Sequence, residues 1–140
     1  MRPASIVNFE RLYWASILLG LLITYLSWDA TVAAVQFQPG VQLGQGFVAA
    51  IAVVGIAIQL LLWYFIARQP SLVVKWIFVV LFALGVLGVI YNFIGGAALG
   101  EISTILTILA YVLRGLATWL LFRPDAKIWF GEDVPEAEAP

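Results

Sequence analysis

FVAAIAVVGIAIQLLLWYFIA, from Phe47 to Ala67, then RQPS, from Arg68 to Ser71, then LVVKWIFVVLFALGVLGVIYNFI, from Leu72 to Ile94, is the stretch on which the reading of this chain turns. Each apolar run reaches the roughly 20 helical residues that cross a hydrocarbon core of about 30 Å. Neither run alternates apolar with polar residues, so neither reads as a barrel strand. Lipid offers no partner to a free backbone N–H or C=O, which leaves the helix as the spanning form. The short link containing Pro70 predicts a helical hairpin of two neighbouring spans.

Two more runs of the same kind flank this hairpin, Leu12–Trp28 before it and Ile102–Phe122 after it. The reading is therefore an all-α membrane protein with spans at about 12–28, 47–67, 72–94 and 102–122. The four form one domain over residues 1–130, an antiparallel up-down-up-down bundle. Composition agrees, because 64% of the 140 residues are apolar and 11% are charged, against roughly 45–50% and 25% in soluble domains.

Lys and Arg set the orientation. Arg2 and Arg11 precede the first span, Arg68 and Lys75 bracket the hairpin turn, and Arg123 and Lys127 follow the fourth span. The connections 29–46 and 95–101 contain neither residue type. By the positive-inside rule both termini and the 68–75 turn face the cytoplasm, and an even number of spans is consistent with that. Tyr13, Trp14, Trp63, Tyr64, Trp76, Trp119 and Trp129 then read as an interfacial aromatic belt on the same side.

A cleaved signal peptide is the rival reading of the first run, with Val32-Ala33-Ala34 as the small-residue cleavage site. Glu10 before the apolar run and Trp28-Asp29 after it argue against that. We expect instead a helix that starts early, with Pro3 in its first turn and Ile6, Val7 and Phe9 in the interface. The segment Val35–Leu43 places two alternating tetrads around Pro39-Gly40, which fits a small hairpin, an interfacial cap or a polar loop. Residues 131–140, with four carboxylates and two prolines, read as a disordered acidic cytoplasmic tail.

The chain has no His and no Cys. That excludes disulfides, thiolate nucleophiles, Ser-His and Cys-His relays and the usual zinc and haem ligands, and no cofactor is expected. Seven basic and eight acidic residues give a net charge of −1, so there is no basic field for nucleic acid.

Polar chemistry inside the bilayer centres on Arg114, eight residues before Phe122 and hence about 12 Å deep at ~1.5 Å per residue. An Arg at a helix centre costs about 2.5–3.5 kcal/mol, and the eleven Leu, Ile, Val and Phe of this span return about 0.3–0.6 each. The span therefore still inserts, but the guanidinium needs acceptors. Thr104, Thr107, Tyr111, Arg114 and Thr118 make one polar stripe. Glu10, Tyr13, Ser16, Gly20, Thr24 and Ser27 make another on the first span. Gln59 lies about 13 Å deep by the same rise, level with Arg114. The candidate intramembrane polar site is thus Arg114 with Gln59 as acceptor, Glu10 as counter-ion, and Tyr111, Thr107 and Thr118 beside them. It reads either as a structural lock or as a site for an anionic headgroup, an anionic solute or a partner's carboxylate. Proton relay is disfavoured, because Arg does not release its proton. Gly85, Gly88, Asn92 and Gly96, together with Gly46, Ala50 and Ala57, read as small-residue faces for close helix packing.

Phe9-Glu10-Arg11-Leu12-Tyr13, Leu62-Trp63-Tyr64-Phe65-Ile66-Ala67-Arg68 and Leu121-Phe122-Arg123-Pro124-Asp125-Ala126-Lys127, with Trp129-Phe130, stand at the helix ends. Through them the chain resembles a group of uncharacterised small four-span bacterial inner-membrane proteins, over nearly its whole length. The resemblance implies a bacterial cytoplasmic-membrane location and supplies no catalytic residue.

No paired carboxylates, nucleophile–base set or phosphate loop is present, so an enzyme is not expected. The leading expectation is a non-enzymatic module, either self-associating or an accessory subunit of a larger membrane complex. The alternative is a small lipid- or solute-binding or transport protein built on the Arg114 site. Membrane lipids, a second copy and a larger complex are the partners these readings imply.

Overall fold

The structure is a computed structural model, and it describes residues 2–36, 44–95 and 100–132. Among these residues every regular element is a helix: α1 (Ala4–Leu26), α2 (Trp28–Gln36), α3 (Gln45–Ala67), α4 (Leu72–Ile94), α5 (Glu101–Leu120) and α6 (Pro124–Phe130). Helices α1, α3, α4 and α5 are long and apolar enough to cross a membrane. At 23 residues for the first three and ~1.5 Å per residue, each is about 35 Å long, more than a ~30 Å core requires. They neighbour one another in chain order, with α1 closing the ring against α5 in the most extensive pairing.

Helix α1 begins well before the apolar run that signalled it. Its first two turns carry Ile6 and Phe9, both fully buried, with Pro3 as the extended N-cap residue. The polar Glu10-Arg11 pair interrupts the hydropathy but not the helix. At the other end α1 stops at Leu26. Ser27 makes a one-residue break, donating its N–H to Ile23 O at 2.9 Å while its own carbonyl accepts from Thr31 N at 2.9 Å. Helix α2 then carries Asp29 in its first turn and packs on α1 and α3. It includes Val32-Ala33-Ala34, the segment considered as a cleavage site, with Val32 buried. Of the segment Val35–Leu43, residues 35 and 36 end α2 and residues 37–43 lie outside the described residues.

The link between α3 and α4 is short as expected, and the Ser71 hydroxyl caps α4 by accepting from Val74 N at 3.4 Å. Helix α6 is an element that hydropathy alone passes over. Pro124 occupies its first turn beside Asp125, a placement that suits a missing N–H and the positive end of the helix dipole. Gly131 ends α6 in the left-handed region at φ 74°, with Gly131 N donating to Ile128 O and Glu132 N to Lys127 O. A side chain at Gly131 would be strained in that conformation.

The core sits at one end. Ile6, Phe9, Tyr13 and Ile17 recur at helical spacing on α1 and meet Leu62 and Ile66 of α3, Phe78 of α4, and Ala117, Leu120 and Leu121 near the end of α5. Ala126 and Phe130 of α6 close this cluster from below. Phe9 stacks on Tyr13 at 5.3 Å between ring centroids, and Phe78 meets both edge-on at 5.7 and 5.5 Å. Tyr13, expected in the interfacial belt, is instead 1% exposed in this core, whereas Trp76 and Trp119 are exposed as the belt requires. Away from this end the helices bury little, and only 6% of the apolar window of α3 and 11% of that of α4 are enclosed. Such apolar outer faces suit lipid.

The same end carries the ion pairs found among the described residues, and α6 fastens to it. Asp125 accepts from Ser5 N at 3.0 Å and from Ser5 Oγ at 2.7 Å, and Trp129 Nε1 donates to Ile66 O at 3.2 Å. Lys75 is fully buried and donates to Glu132 Oε1 at 2.7 Å. Its ammonium also lies 4.5 Å from the Phe122 ring centroid and 5.3 Å from that of Phe130. The expectation of a free tail from residue 131 is therefore corrected at Gly131 and Glu132, because a buried ammonium needs a counter-charge and Glu132 supplies it. Residues 133–140 lie outside the described residues.

Candidate functional site

Four side chains from three helices meet at mid-span. The Arg114 guanidinium of α5 donates through Nη2 to Gln59 Oε1 of α3 and through Nε to Ser16 Oγ of α1 at 3.3 Å. It lies 5.9 Å from the centroid of the Tyr13 ring, within reach of the ring quadrupole. The Ser16 hydroxyl donates to Tyr13 O at 2.7 Å, which leaves its oxygen lone pairs to accept from Arg114. The Tyr13 hydroxyl donates to Gln59 O at 3.0 Å and so pins α1 to the turn of α3 that carries the acceptor. The Thr118 hydroxyl donates to Arg114 O at 2.7 Å, one turn along α5.

The guanidinium is held on one side and open on the other. An Arg has five N–H donors, and among the described residues only Nε and Nη2 find protein acceptors. No buried side-chain nitrogen or oxygen lacks a partner among the described residues. Nη1 is therefore not sealed in protein but reaches open space. Two cavities border Arg114, and a third borders its acceptor Gln59. One of about 140 Å³ is bounded by Gln59, Phe78, Gly85, Tyr111 and Arg114 among others. A second, of about 270 Å³, has Gly20, Ile23, Val89, Thr107, Tyr111 and Arg114 in its wall. The third, of about 220 Å³, lies between α1 and α3 against Gly20, Thr24, Gly55 and Gln59. Each is large enough for several waters or a small organic group.

The other expected members are placed as follows. Tyr111 borders two of the cavities with Arg114 and packs its ring against Phe82, centroids 6.3 Å apart. Gly85 makes room for it, because a β-carbon there would stand 2.8 Å from the Tyr111 hydroxyl. Thr107 lines a cavity but spends its proton on Ser103 O at 2.7 Å. Glu10 is not a partner of Arg114. Its Oε2 takes Arg2 at 2.7 Å, and its Oε1 takes Trp63 Nε1 at 3.1 Å and lies 3.6 Å from Arg68. Six residues separate Glu10 from Ser16 on α1, about 9 Å of helix rise, so its carboxylate stays with the charges at the core end.

Among the expected glycines that the structure describes, Gly85 alone would meet a neighbouring side chain if it carried a β-carbon. Gly20, Gly46 and Gly88 face open space within 4 Å, and Asn92 bonds Gly88 O at 2.8 Å within its own helix. Gly96 lies outside the described residues. Ser16 and Tyr13 belong to the polar stripe visible on α1, yet their part in holding the guanidinium depends on how α1 rotates against α5.

Chemically the site is a fixed cation with an unfilled donor face. Arg keeps its proton, so it can recognise an anion but cannot serve as an acid or base. Among the described residues no three carboxylates gather in a way that would hold a metal ion. Comparison with protein-family models, curated proteins and solved structures finds no match for this chain.

Proposed function

We propose that the protein is a non-enzymatic membrane protein that binds a small anionic group, carboxylate or phosphate, on the open face of Arg114. One observation carries this reading: the guanidinium is oriented by Gln59, Ser16 and Tyr13 while Nη1 reaches open space. A purely structural lock has no need of open space around a charge. It gains most by enclosing the group and satisfying every donor.

The reading includes an antiparallel bundle in a bacterial inner membrane, with both termini in the cytoplasm. In favour of it, Glu10 near the start of α1 pairs with Arg68 at the end of α3, and Lys75 near the start of α4 pairs with Glu132 after α6. The six Lys and Arg that flank the spans thus gather at one end, and the two outer connections carry none.

Hexanoate, small enough for these cavities, is the test ligand, with hexanol as the uncharged control. In neutral-detergent micelles hexanoate raises the melting temperature of the wild type by a few degrees, as ligand linkage requires, and hexanol does not. Arg114→Gln removes the rise. An unchanged wild-type melt, or an equal rise in the variant, would rule the reading out.

A second reading, lateral self-association or docking into a larger complex, is favoured by the exposed faces of α3 and α4, where Gly46 and Gly88 have no neighbour within 4 Å. Native mass spectrometry of the purified protein distinguishes it through a defined stoichiometry above one copy.

A further inference from the structure

A second opening lies on the outside of the bundle, away from Arg114. It is a groove of about 350 Å³ between α1 and α5, lined by Asn8, Arg11, Leu12, Leu116, Trp119 and Leu120. Its volume falls in the ~300–1,000 Å³ range of ligand pockets. Leu116 and Trp119 are exposed at 48% and 60%, so the apolar wall faces outward, while Leu120 forms the buried floor. Asn8 and Arg11 stand on α1 toward its N-terminal end, so the polar part of the lining marks the end of the groove nearest the helix termini.

The charges at that end are not balanced. Ion pairs among the described residues join Arg2 and Arg68 to Glu10 and Lys75 to Glu132. Arg11 has no carboxylate within 4.0 Å among them. Arg123 has none either, and its guanidinium rests 5.4 Å from the Trp119 ring centroid. Two arginines without counter-ions therefore flank one exposed tryptophan at the head of an apolar slot. Both guanidiniums are exposed, so water satisfies them in a soluble protein. Beside a bilayer the same arrangement matches a phosphodiester standing over an acyl chain.

We infer that this groove binds one anionic phospholipid of the membrane, its phosphate between Arg11 and Arg123 and one acyl chain along Leu12, Leu116 and Trp119. The site is separate from Arg114 and does not depend on that reading. The amide of Asn8, at the same rim, is placed to bond an ester or glycerol oxygen of the headgroup. Selectivity for charge comes from the two arginines, since each basic side chain near an anionic lipid surface is worth a factor of about five. Retention of the lipid comes from the apolar wall, which a free phosphate cannot use.

The test uses the full chain in neutral-detergent micelles holding equal amounts of phosphatidylglycerol and phosphatidylcholine with matched chains, read by native mass spectrometry. The wild type retains one phosphatidylglycerol in preference to phosphatidylcholine by about 25-fold. Arg11→Gln with Arg123→Gln brings the two lipids to parity, and the paired Lys substitutions keep most of the preference. Leu116→Trp, which fills the slot, lowers retention of both lipids, and Arg114→Gln changes neither. Millimolar inorganic phosphate does not displace the bound lipid. Equal retention by the wild type would overturn the proposal, as would a preference that survives in the double Gln variant or displacement by phosphate alone. A second copy of the chain retained in place of lipid would also overturn it. Both arginines are exposed, and a melting temperature matching the wild type confirms that the double variant is folded.

Discussion

Arg114 costs the membrane protein free energy wherever it lies, and the surrounding side chains decide how much is recovered. Gln59 Oε1, Ser16 Oγ and the Tyr13 ring each take part of the charge. Removing Gln59 alone leaves the guanidinium short of its main acceptor, whereas Arg114→Leu with Gln59→Leu removes charge and need together. Membrane helix–helix hydrogen bonds average about 0.6 kcal/mol and reach about 1.7, and a charged donor belongs near the upper figure. A double-mutant cycle on this pair, read by reversible unfolding in micelles, should give a coupling of about 1–2 kcal/mol. The same cycle with Glu10→Gln should be additive, because Glu10 is engaged with Arg2, Arg68 and Trp63. The depth match of Gln59 and Arg114 could be read from helix rise alone. The exclusion of Glu10 could not, since it follows from the competing arginine at the end of α3.

Helix α6 is where local sequence held signals that hydropathy does not weigh. Pro124 and Asp125 mark a helix start and Gly131 marks its end, but a seven-residue helix with only Ala126 and Phe130 buried gives no apolar run. Its contribution lies in what it brings to Lys75. Glu132→Gln leaves a fully buried ammonium with two aromatic rings and no counter-charge, a loss of about 2–3 kcal/mol, below the ~3–5 of a fully buried pair because Glu132 keeps some solvent contact. Truncation after Phe130 should destabilise to the same extent, and truncation after Glu132 should not. Urea or SDS titration of the purified protein separates the two. Equal stability of all three chains would detach the latch from the fold.

The Ser5–Asp125 contact adds a pH signature to the same element. Hydrogen bonds from the Ser5 hydroxyl and backbone N–H hold the Asp125 carboxyl below its ordinary value of 3.8. The folded form thus keeps its proton off at pH values where the unfolded chain would take one. Its stabilisation is present above the unfolded pKa and fades as pH falls through the lowered folded value. Ser5→Ala should weaken the fold at neutral pH and flatten the acid limb of the stability curve. An acid limb unchanged by the substitution would show that Asp125 has no part in it.

Across the whole molecule the asymmetry of packing is the main result: a tight, charged, aromatic end and a loosely enclosed remainder. The four long apolar helices were legible because each apolar run falls within the ~17–25 residues a bilayer crossing takes. The early start of α1 was legible from Pro3, whereas the burial of Ile6 and Phe9 in the core, in place of the interface, depends on the helices they meet. The cavities around Arg114 and Gln59 were not legible, because they depend on Gly20 and Gly55 remaining uncovered, which is a matter of helix rotation and splay. With the proposed orientation, cysteines placed at Ala30 and Glu101 should react with an impermeant maleimide from the periplasm of intact cells, and one at Gln69 should not. Labelling at Gln69 alone would invert the bundle.

Nitrogen-detected NMR of the arginine side chains reads the open face of Arg114. The protein, labelled with ¹⁵N-arginine in neutral micelles, gives side-chain signals for five arginines, and the Arg114 signal is assigned by its loss in Arg114→Lys. Titration with hexanoate should move that signal in a saturable way, with hexanol leaving it in place. A signal that stays fixed through the hexanoate titration while the protein remains folded would mean that the Arg114 guanidinium has no face open to an anion.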